Sequence, residues 1–179
     1  DYDELNKNKK FKSLLLKEQR GYCCYCMRDI SLEKVTIEHV MPHHIDGEKQ
    51  EEEKKHYYFY ISPRKIIYQP DIDPNKKLRC PPYPHCIAYE NLTASCDGAI
   101  YEGGEEYKLH RCCNNKREND KIIPLFFLPD VGEIIIYAKD GRLVFADEYK
   151  KTIDSLNLEC PSLRLIRKVW ARIKKNNIP

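Results

Sequence analysis

The chain has 179 residues, 41% hydrophobic and 33% charged, with a formal net charge of +3. That length suits one domain, or one domain with an appendage. Nine cysteines fall below the roughly 8–10% density of a disulfide scaffold, and an odd number cannot all pair within one chain. No apolar run approaches the roughly 18 residues of a membrane span, and no leader peptide is evident. A cytoplasmic protein with reduced thiols available to metal, and no membrane partner, is expected.

In chain order, Asn6 to Arg20 has a helical pattern, with Phe11, Leu14 and Leu15 on one face and Gly21 as its stop. The β-branched "VTIEHV", Val35 to Val40, predicts a short strand. From Ile45 to about Ile87 the periodicity dissolves. A charged run leads to "HYYFYISPRKIIYQ", which suggests a strand pair, and then to a proline-rich loop. "GEIIIYAKDGRLVFAD" predicts a hairpin, because Asp140-Gly141 is a strong turn signal between two apolar runs. Helices are predicted near Glu148 to Leu156 and over Ser162 to Lys175. In the last of these Leu163, Ile166, Trp170 and Ile173 recur at helical spacing, which makes Trp170 a core anchor and leaves Arg164, Arg167, Lys168 and Lys175 outward.

Charge distribution says more than the total. Lys7, Lys9, Lys10, Lys12, Lys17 and Arg20 crowd the start, and Arg164, Arg167, Lys168, Arg172, Lys174 and Lys175 crowd the end without an acid among them. Such runs are solvated helix faces as readily as nucleic-acid contacts.

Cys23-x-x-Cys26 offers half of a tetrahedral zinc site. Alone it is weak, and a second half is required. Cys96 with one of the doublet Cys112-Cys113 can supply it, and Cys23, Cys26, Cys96 and Cys113 would close a structural site with no open position. A thioredoxin-like redox pair would need an α/β unit around it, which the flanks do not show. Cys80, Cys86 and His85 could hold a second ion, although a plain loop is the simpler reading, and His110 is a minor candidate ligand.

The motif "IEHVMP" places Glu38 beside His39 with Pro42 following, "YENL" contributes Asn91, and "CCNNKRE" places Asn114 directly after the last proposed thiolate, with Arg117 three residues on. In this order the chain resembles the HNH endonucleases of the ββα-metal class. Their pattern runs Cys-x-x-Cys, (Asp/Glu)-His-x-x-Pro, Asn-Leu, then Cys-x-x-Cys-Asn-x-x-(Lys/Arg). Sixteen residues separate Cys96 from Cys113 where two are usual. The His39–Asn91 interval is long as well. The segments "YCCYCMRDI", "YENLTASCDG", "CCNNK", "IIPLF" and "IDSLNLECPSLRLIRK" further resemble the HNH subunit of Septu-type and retron-associated anti-phage systems, which works beside an ABC-type ATPase.

What the resemblance implies is an α+β fold: a ββα-metal nuclease core with a zinc knuckle over residues 1–130, interrupted by an insertion at about 45–87. A C-terminal hairpin and two helices over 131–179 would contact the ATPase partner or nucleic acid through Arg164, Arg167, Lys168 and Lys175. The activity implied is metal-dependent hydrolysis of phosphodiester bonds, with DNA the favoured substrate and RNA such as tRNA the alternative. Glu38 and Asn114 would hold one Mg²⁺ or Mn²⁺, since both are hard ions that take oxygen ligands. His39 would act as general base, and Asn91 would fix the loop and orient His39. The rival reading from another class is a non-catalytic zinc module that binds nucleic acid or a protein.

Overall fold

The computed structural model describes residues 2–42, 50–61, 87–100 and 107–175. Its organising element is a pair of antiparallel strands, β1 (Val35–His39) and β2 (Leu92–Cys96), aligned so that Val35 faces Cys96 and His39 faces Leu92. Val35, Ile37, Leu92 and Ala94 are buried. At roughly 1.5–3 kcal/mol for each large aliphatic side chain removed from water, this is enough to favour pairing two strands so distant in sequence. β1 ends one residue earlier than expected. It turns toward Pro42, while the Val40 amide is still held by the Asn91 carbonyl at 2.9 Å.

The N-terminal helix is two helices, α1 (Tyr2–Lys7) and α2 (Lys9–Glu18), instead of one from Asn6 to Arg20. Asn8 breaks it. Its side-chain oxygen accepts from the amides of Lys10 at 3.0 Å and Phe11 at 3.1 Å, an N-cap that restarts the helix. Gly21, at φ 85°, closes α2 as expected, its amide returning to the Leu16 carbonyl at 2.8 Å. Leu15 is buried and Phe11 packs against the core, but Leu14 points outward. Beyond α2 the Gln19 side chain bonds both the amide and the carbonyl of Ala94, at 2.7 and 2.8 Å, and so occupies the free edge of β2 as a strand would.

Within the insertion the first half of the expected strand pair is helical. α3 covers Gln50–Ile61, because "EEEKK" is built of strong helix formers and Tyr57 and Ile61, four apart, bury on one face. The remainder of that stretch lies outside the described residues, as do His43, His44, Cys80, His85 and Cys86.

After β2 come two single-turn helices, α4 (Tyr107–His110) and α5 (Asn114–Arg117), with α5 packed on β1. Gly98, just after β2, is needed where that turn meets the start of α5. A Cβ there would collide with the Cys112 carbonyl and lie 2.6 Å from the Asn115 Cβ.

The C-terminal part opens with α6 (Val131–Ile134), which takes the first of the residues expected in the hairpin. The hairpin itself, β3 (Ile136–Tyr137) and β4 (Leu143–Val144), turns at Gly141 as predicted. α7 (Lys150–Ser155) and α8 (Pro161–Lys175) follow. Leu143, Ile153, Leu156 and Leu163 belong to the same buried cluster as Leu15, Ile37 and Leu92.

Two expectations about α8 are corrected. Trp170 is not a core anchor: it is 61% exposed, whereas Leu163, on the same stripe, is 1% exposed. Leu163 belongs to the buried cluster, and Trp170, two turns further along the helix, does not. Arg167 does not face outward. It is buried, donating to the Gly141 carbonyl at 3.0 Å, to Glu159 Oε1 at 3.0 Å and to the Leu158 carbonyl, with its guanidinium 5.3 Å from the Tyr137 ring centre. It clamps hairpin to helix. Arg164 and Lys168 are half-buried, and Arg172 and Lys174 are exposed.

The hairpin docks by close backbone approach. Gly141 has φ 86°, and a Cβ on it would meet the Arg164 carbonyl oxygen and lie 2.8 Å from its carbon. Gly141→Ala should therefore lower stability by more than about 1 kcal/mol. A thermal melt of the purified variant with an unchanged Tm would show that this contact does not hold the hairpin down.

Candidate functional site

The Cys23-x-x-Cys26 segment is a tight turn between the bridged residues Tyr22 and Asp29. The Cys23 amide reaches the Arg28 carbonyl at 2.9 Å, the Met27 amide reaches the Cys23 carbonyl at 3.1 Å, and Met27 takes a positive φ of 57°. This turn aims both thiols at the end of β2. There they meet Cys96 and Cys113, and the four sulfurs lie within 4.8 Å of one another. Cys23 and Cys113 are 3.9 Å apart, and so are Cys26 and Cys96. Sulfurs at ~2.3 Å from one tetrahedral ion stand ~3.8 Å apart. The donor set and its spacing fit a metal ion such as zinc.

Of the doublet, Cys113 belongs to this group. Cys112 turns its sulfur to the Gly98 carbonyl at 3.8 Å while staying 3.6 Å from Cys113. His110 is not in the group, since its Nδ1 lies 2.5 Å from Ser162 Oγ.

The surroundings favour thiolate at Cys23 and Cys96, and raise the thiols of Cys26 and Cys113. Cys23 Sγ accepts from the amides of Cys96 at 3.3 Å and Tyr25 at 3.5 Å. Burial alone would raise the Cys23 thiol, but its contacts with Cys113, Cys24, Cys26 and Cys96 bring it well below its ordinary value. Cys96 is drawn down to about 3 by Cys112 and then Cys113. Cys24, one residue from Cys23 but packed against Thr93, is pushed up by burial and stays a bystander. Arg28 supplies the counter-charge, its guanidinium reaching Cys26 Sγ at 3.5 Å and Cys96 Sγ at 3.2 Å. Four thiolates and one dication leave a net −2, which the Arg28 guanidinium beside the sulfurs partly offsets.

At the other end of β1 a cavity of about 180 Å³ is lined by Glu38, His39, Pro42 and Asn114, with Tyr2, Ile37, Arg117, Glu118 and Asn119 completing it. Three of the four residues expected to act together therefore share one cavity. Asn91 does not line it. Asn91 is buried and clamps Met41 instead, its Oδ1 accepting from the Met41 amide at 2.7 Å and its Nδ2 donating to the Met41 carbonyl at 3.0 Å. It fixes the loop that leaves His39.

Glu38 is held by a buried ion pair. Arg117 Nη1 lies 2.8 Å from Glu38 Oε1, and the Tyr25 hydroxyl donates to the same oxygen at 2.9 Å. Both bonds fall on Oε1, so Oε2 is the oxygen available to the cavity. Burial raises the Glu38 carboxyl above its usual range, against the pull of Arg117 and Tyr25. Burial likewise raises the Tyr25 phenol well above its ordinary value, which keeps it a donor.

Arg117 also donates to the carbonyls of His39 and Val40, each at 2.6 Å, and to the Tyr57 hydroxyl at 3.3 Å. Asn114, one turn earlier, donates from Nδ2 to Thr36 Oγ1 at 3.2 Å, leaving its amide oxygen as the potential ligand. The His39 ring packs on Tyr2, with ring centres 4.6 Å apart, and the Tyr2 hydroxyl donates to the Ile37 carbonyl at 3.1 Å.

Sequence reasoning missed Arg28, Tyr25, Tyr57 and Tyr2, and gave Arg117 a place in a motif without a role. Arg28 carried one signal, a fixed cation two residues after a proposed thiolate. The tyrosines carried none, because their partners are distant in sequence.

Compared with known proteins, the chain matches no family model and no curated protein. Among the described residues no helix is long and apolar enough to cross a membrane.

Metal analysis of the purified protein is expected to find about one tightly held zinc per chain, with Cys26→Ser losing both the metal and its cooperative melt. A well-folded wild-type chain free of zinc would refute the assignment of these thiols.

Proposed function

We propose that this chain is a metal-dependent endonuclease of the HNH type, hydrolysing nucleic-acid phosphodiester bonds with DNA the favoured substrate. The observation that carries the reading is the single cavity shared by Glu38, His39 and Asn114. It is built on two antiparallel strands and a short helix, beside a four-cysteine group. The ββα core, the catalytic cation and the cytoplasmic setting are parts of the same proposal.

Glu38, through Oε2, and Asn114, through its amide oxygen, would hold a Mg²⁺ or Mn²⁺ ion. That oxygen donor set suits a hard cation. Such an ion, when bound, neutralises charge that develops on the phosphate and the leaving oxygen. His39 removes the proton from the attacking water at a ring nitrogen. Tyr2 holds the imidazole ring from one side, Asn91 fixes the backbone two residues beyond it, and Arg117 fixes the His39 carbonyl. The residues that position the base are thus spread over α1, the turn that leads into β2, and α5, so it is oriented before substrate arrives.

The same proposal assigns the chain to an anti-phage defence complex as the nuclease partner of an ABC-type ATPase. Support comes from α8, on which Leu165, Trp170, Arg172 and Lys174 are exposed. Exposed apolar side chains among exposed cations suit a protein or nucleic-acid contact. Charge reversal at Arg172 and Lys174 should weaken ATPase pull-down or DNA binding, with steep salt dependence in the second case. Unchanged behaviour in both assays removes α8 from the contact surface.

A zinc module without catalysis is the second reading, and the engagement of Glu38 by Arg117 is the observation that favours it. One substitution separates the two. His39→Ala should lower plasmid cleavage in Mg²⁺ or Mn²⁺ by about 10²- to 10⁴-fold while zinc content and Tm stay near wild type. A variant that cuts at close to the wild-type rate would sink the proposed mechanism.

A further inference from the structure

Among the described residues, α3 of the insertion between His39 and Asn91 reaches Arg117 of the cavity wall through one buried side chain. Tyr57 on α3 is fully buried, and its hydroxyl accepts from Arg117 Nη2 at 3.3 Å and from the Ile122 amide at 3.1 Å. The guanidinium carbon of Arg117 stands 6.0 Å from the Tyr57 ring centre. Its neighbour His56 bonds the Ile122 carbonyl at 3.0 Å, so α3 is pinned to the chain after α5 at two adjacent points.

The distribution of Arg117 hydrogens gives this contact its weight. Nη1 serves Glu38 Oε1, the Tyr25 hydroxyl and the His39 carbonyl. Nη2 has two hydrogens and two acceptors, the Val40 carbonyl and the Tyr57 hydroxyl. Removing that hydroxyl leaves one N–H of a buried guanidinium without its partner, a costly state that the group can relieve only by shifting. Every other acceptor it touches is Glu38, the Tyr25 hydroxyl that itself holds Glu38, the backbone that carries His39, or the Asp120 carbonyl. A shift of the guanidinium therefore moves Glu38 and the His39–Val40 backbone together.

We propose that Tyr57 is a positioning residue, through which the inserted helix sets the geometry of Glu38 and His39 by way of Arg117. This rests on the reading of the cavity as a cleavage site. The insertion then acts as a support that the minimal strand–strand–helix arrangement lacks, and loss of the Tyr57 hydroxyl contact with Arg117 changes the rate of cleavage. No contact between α3 and substrate is required.

The test compares wild type, Tyr57→Phe and His56→Ala by plasmid cleavage under Mn²⁺ titration, with zinc content and Tm measured alongside. Tyr57→Phe keeps the ring and loses only the hydroxyl. It should lower the maximal rate by roughly 10- to 100-fold, the scale of small misplacements in an active site, and raise the Mn²⁺ concentration for half-maximal cleavage. His56→Ala removes the neighbouring pin and should lower Tm without changing rate or Mn²⁺ requirement at temperatures below the melt. Equal rate and Mn²⁺ requirement in wild type and Tyr57→Phe would overturn the positioning role while leaving the nuclease reading intact. A wild-type chain inactive at every Mn²⁺ concentration would overturn both. Should Tyr57→Phe lose its cooperative melt, Arg117→Lys takes its place, since it keeps the charge opposite Glu38 but reaches fewer acceptors. Full activity in Arg117→Lys would equally overturn the inference.

Discussion

Four sulfur atoms join segments that the chain separates widely. Cys23 and Cys113 are 90 positions apart yet 3.9 Å distant, and Cys26 meets Cys96 across 70 positions. Closing loops of that size costs chain entropy, although the cost grows only slowly with length. What makes the closure unusual is its charge. As ligands of a dication, or as a set that shares protons with Cys23 and Cys96 lowered and Cys26 and Cys113 raised, the group contains the repulsion between thiolates this close. Arg28 and the two backbone amides on Cys23 Sγ relieve part of it. The turn at Cys23–Cys26, the end of β2 and the start of α5 all take their places from this group.

A second buried charge governs the opposite end of β1. Arg117 is 1% exposed and touches six acceptors on four segments of chain. A buried ion pair of this kind is poor evidence for net stability, because desolvation offsets most of the attraction. Its consequence is geometric. A guanidinium is planar, with five donors in a fixed fork, so the positions of Glu38 and of the His39 and Val40 carbonyls are not independent. α5 is one turn long and has little propensity to stand alone. Its ends are set by Cys113 in the sulfur group and by Arg117 in the ion pair, and Asn114 is carried between them.

The two ends were unequally legible in the sequence. Cys23, Cys26, Cys96 and one of Cys112-Cys113 could be named from spacing, because four like donors in two pairs leave few arrangements. Glu38, His39 and Asn114 could be named as a group only through the order of motifs, and the cavity they share supports the grouping without testing the chemistry. Tyr57 could not be found, since nothing local distinguishes one tyrosine in "HYYFY" from the next; its role comes from a partner 60 positions away. The helix there was read as strand for a related reason: aromatic residues favour strands, and the helix-forming charged run before them decided otherwise. On α8 the periodicity was correct and its meaning was not. A 3.6-residue stripe says which residues share a face, not where the underlying core ends, so Trp170 falls beyond the core while Arg167, off the stripe, is drawn in by three acceptors.

The register of β1 on β2 adds a constraint on the proposed chemistry. Val35 lies opposite Cys96 and His39 opposite Leu92, so Cys96 and His39 are four strand residues apart along the pair, ~13 Å at ~3.3 Å per residue. Imidazole is a good zinc ligand, and a His placed beside three or four thiolates would compete for the same ion. A coordinated ring nitrogen can no longer accept a proton from water. The length of the strand pair therefore protects the basicity of His39 while allowing the sulfur group to brace the same two strands. Shortening that pair by two residues would preserve every side-chain orientation, because the strand period is two, yet would bring the imidazole toward the sulfurs. On the proposed mechanism, the separation between soft and hard donor sets is as much a part of the site as the residues themselves.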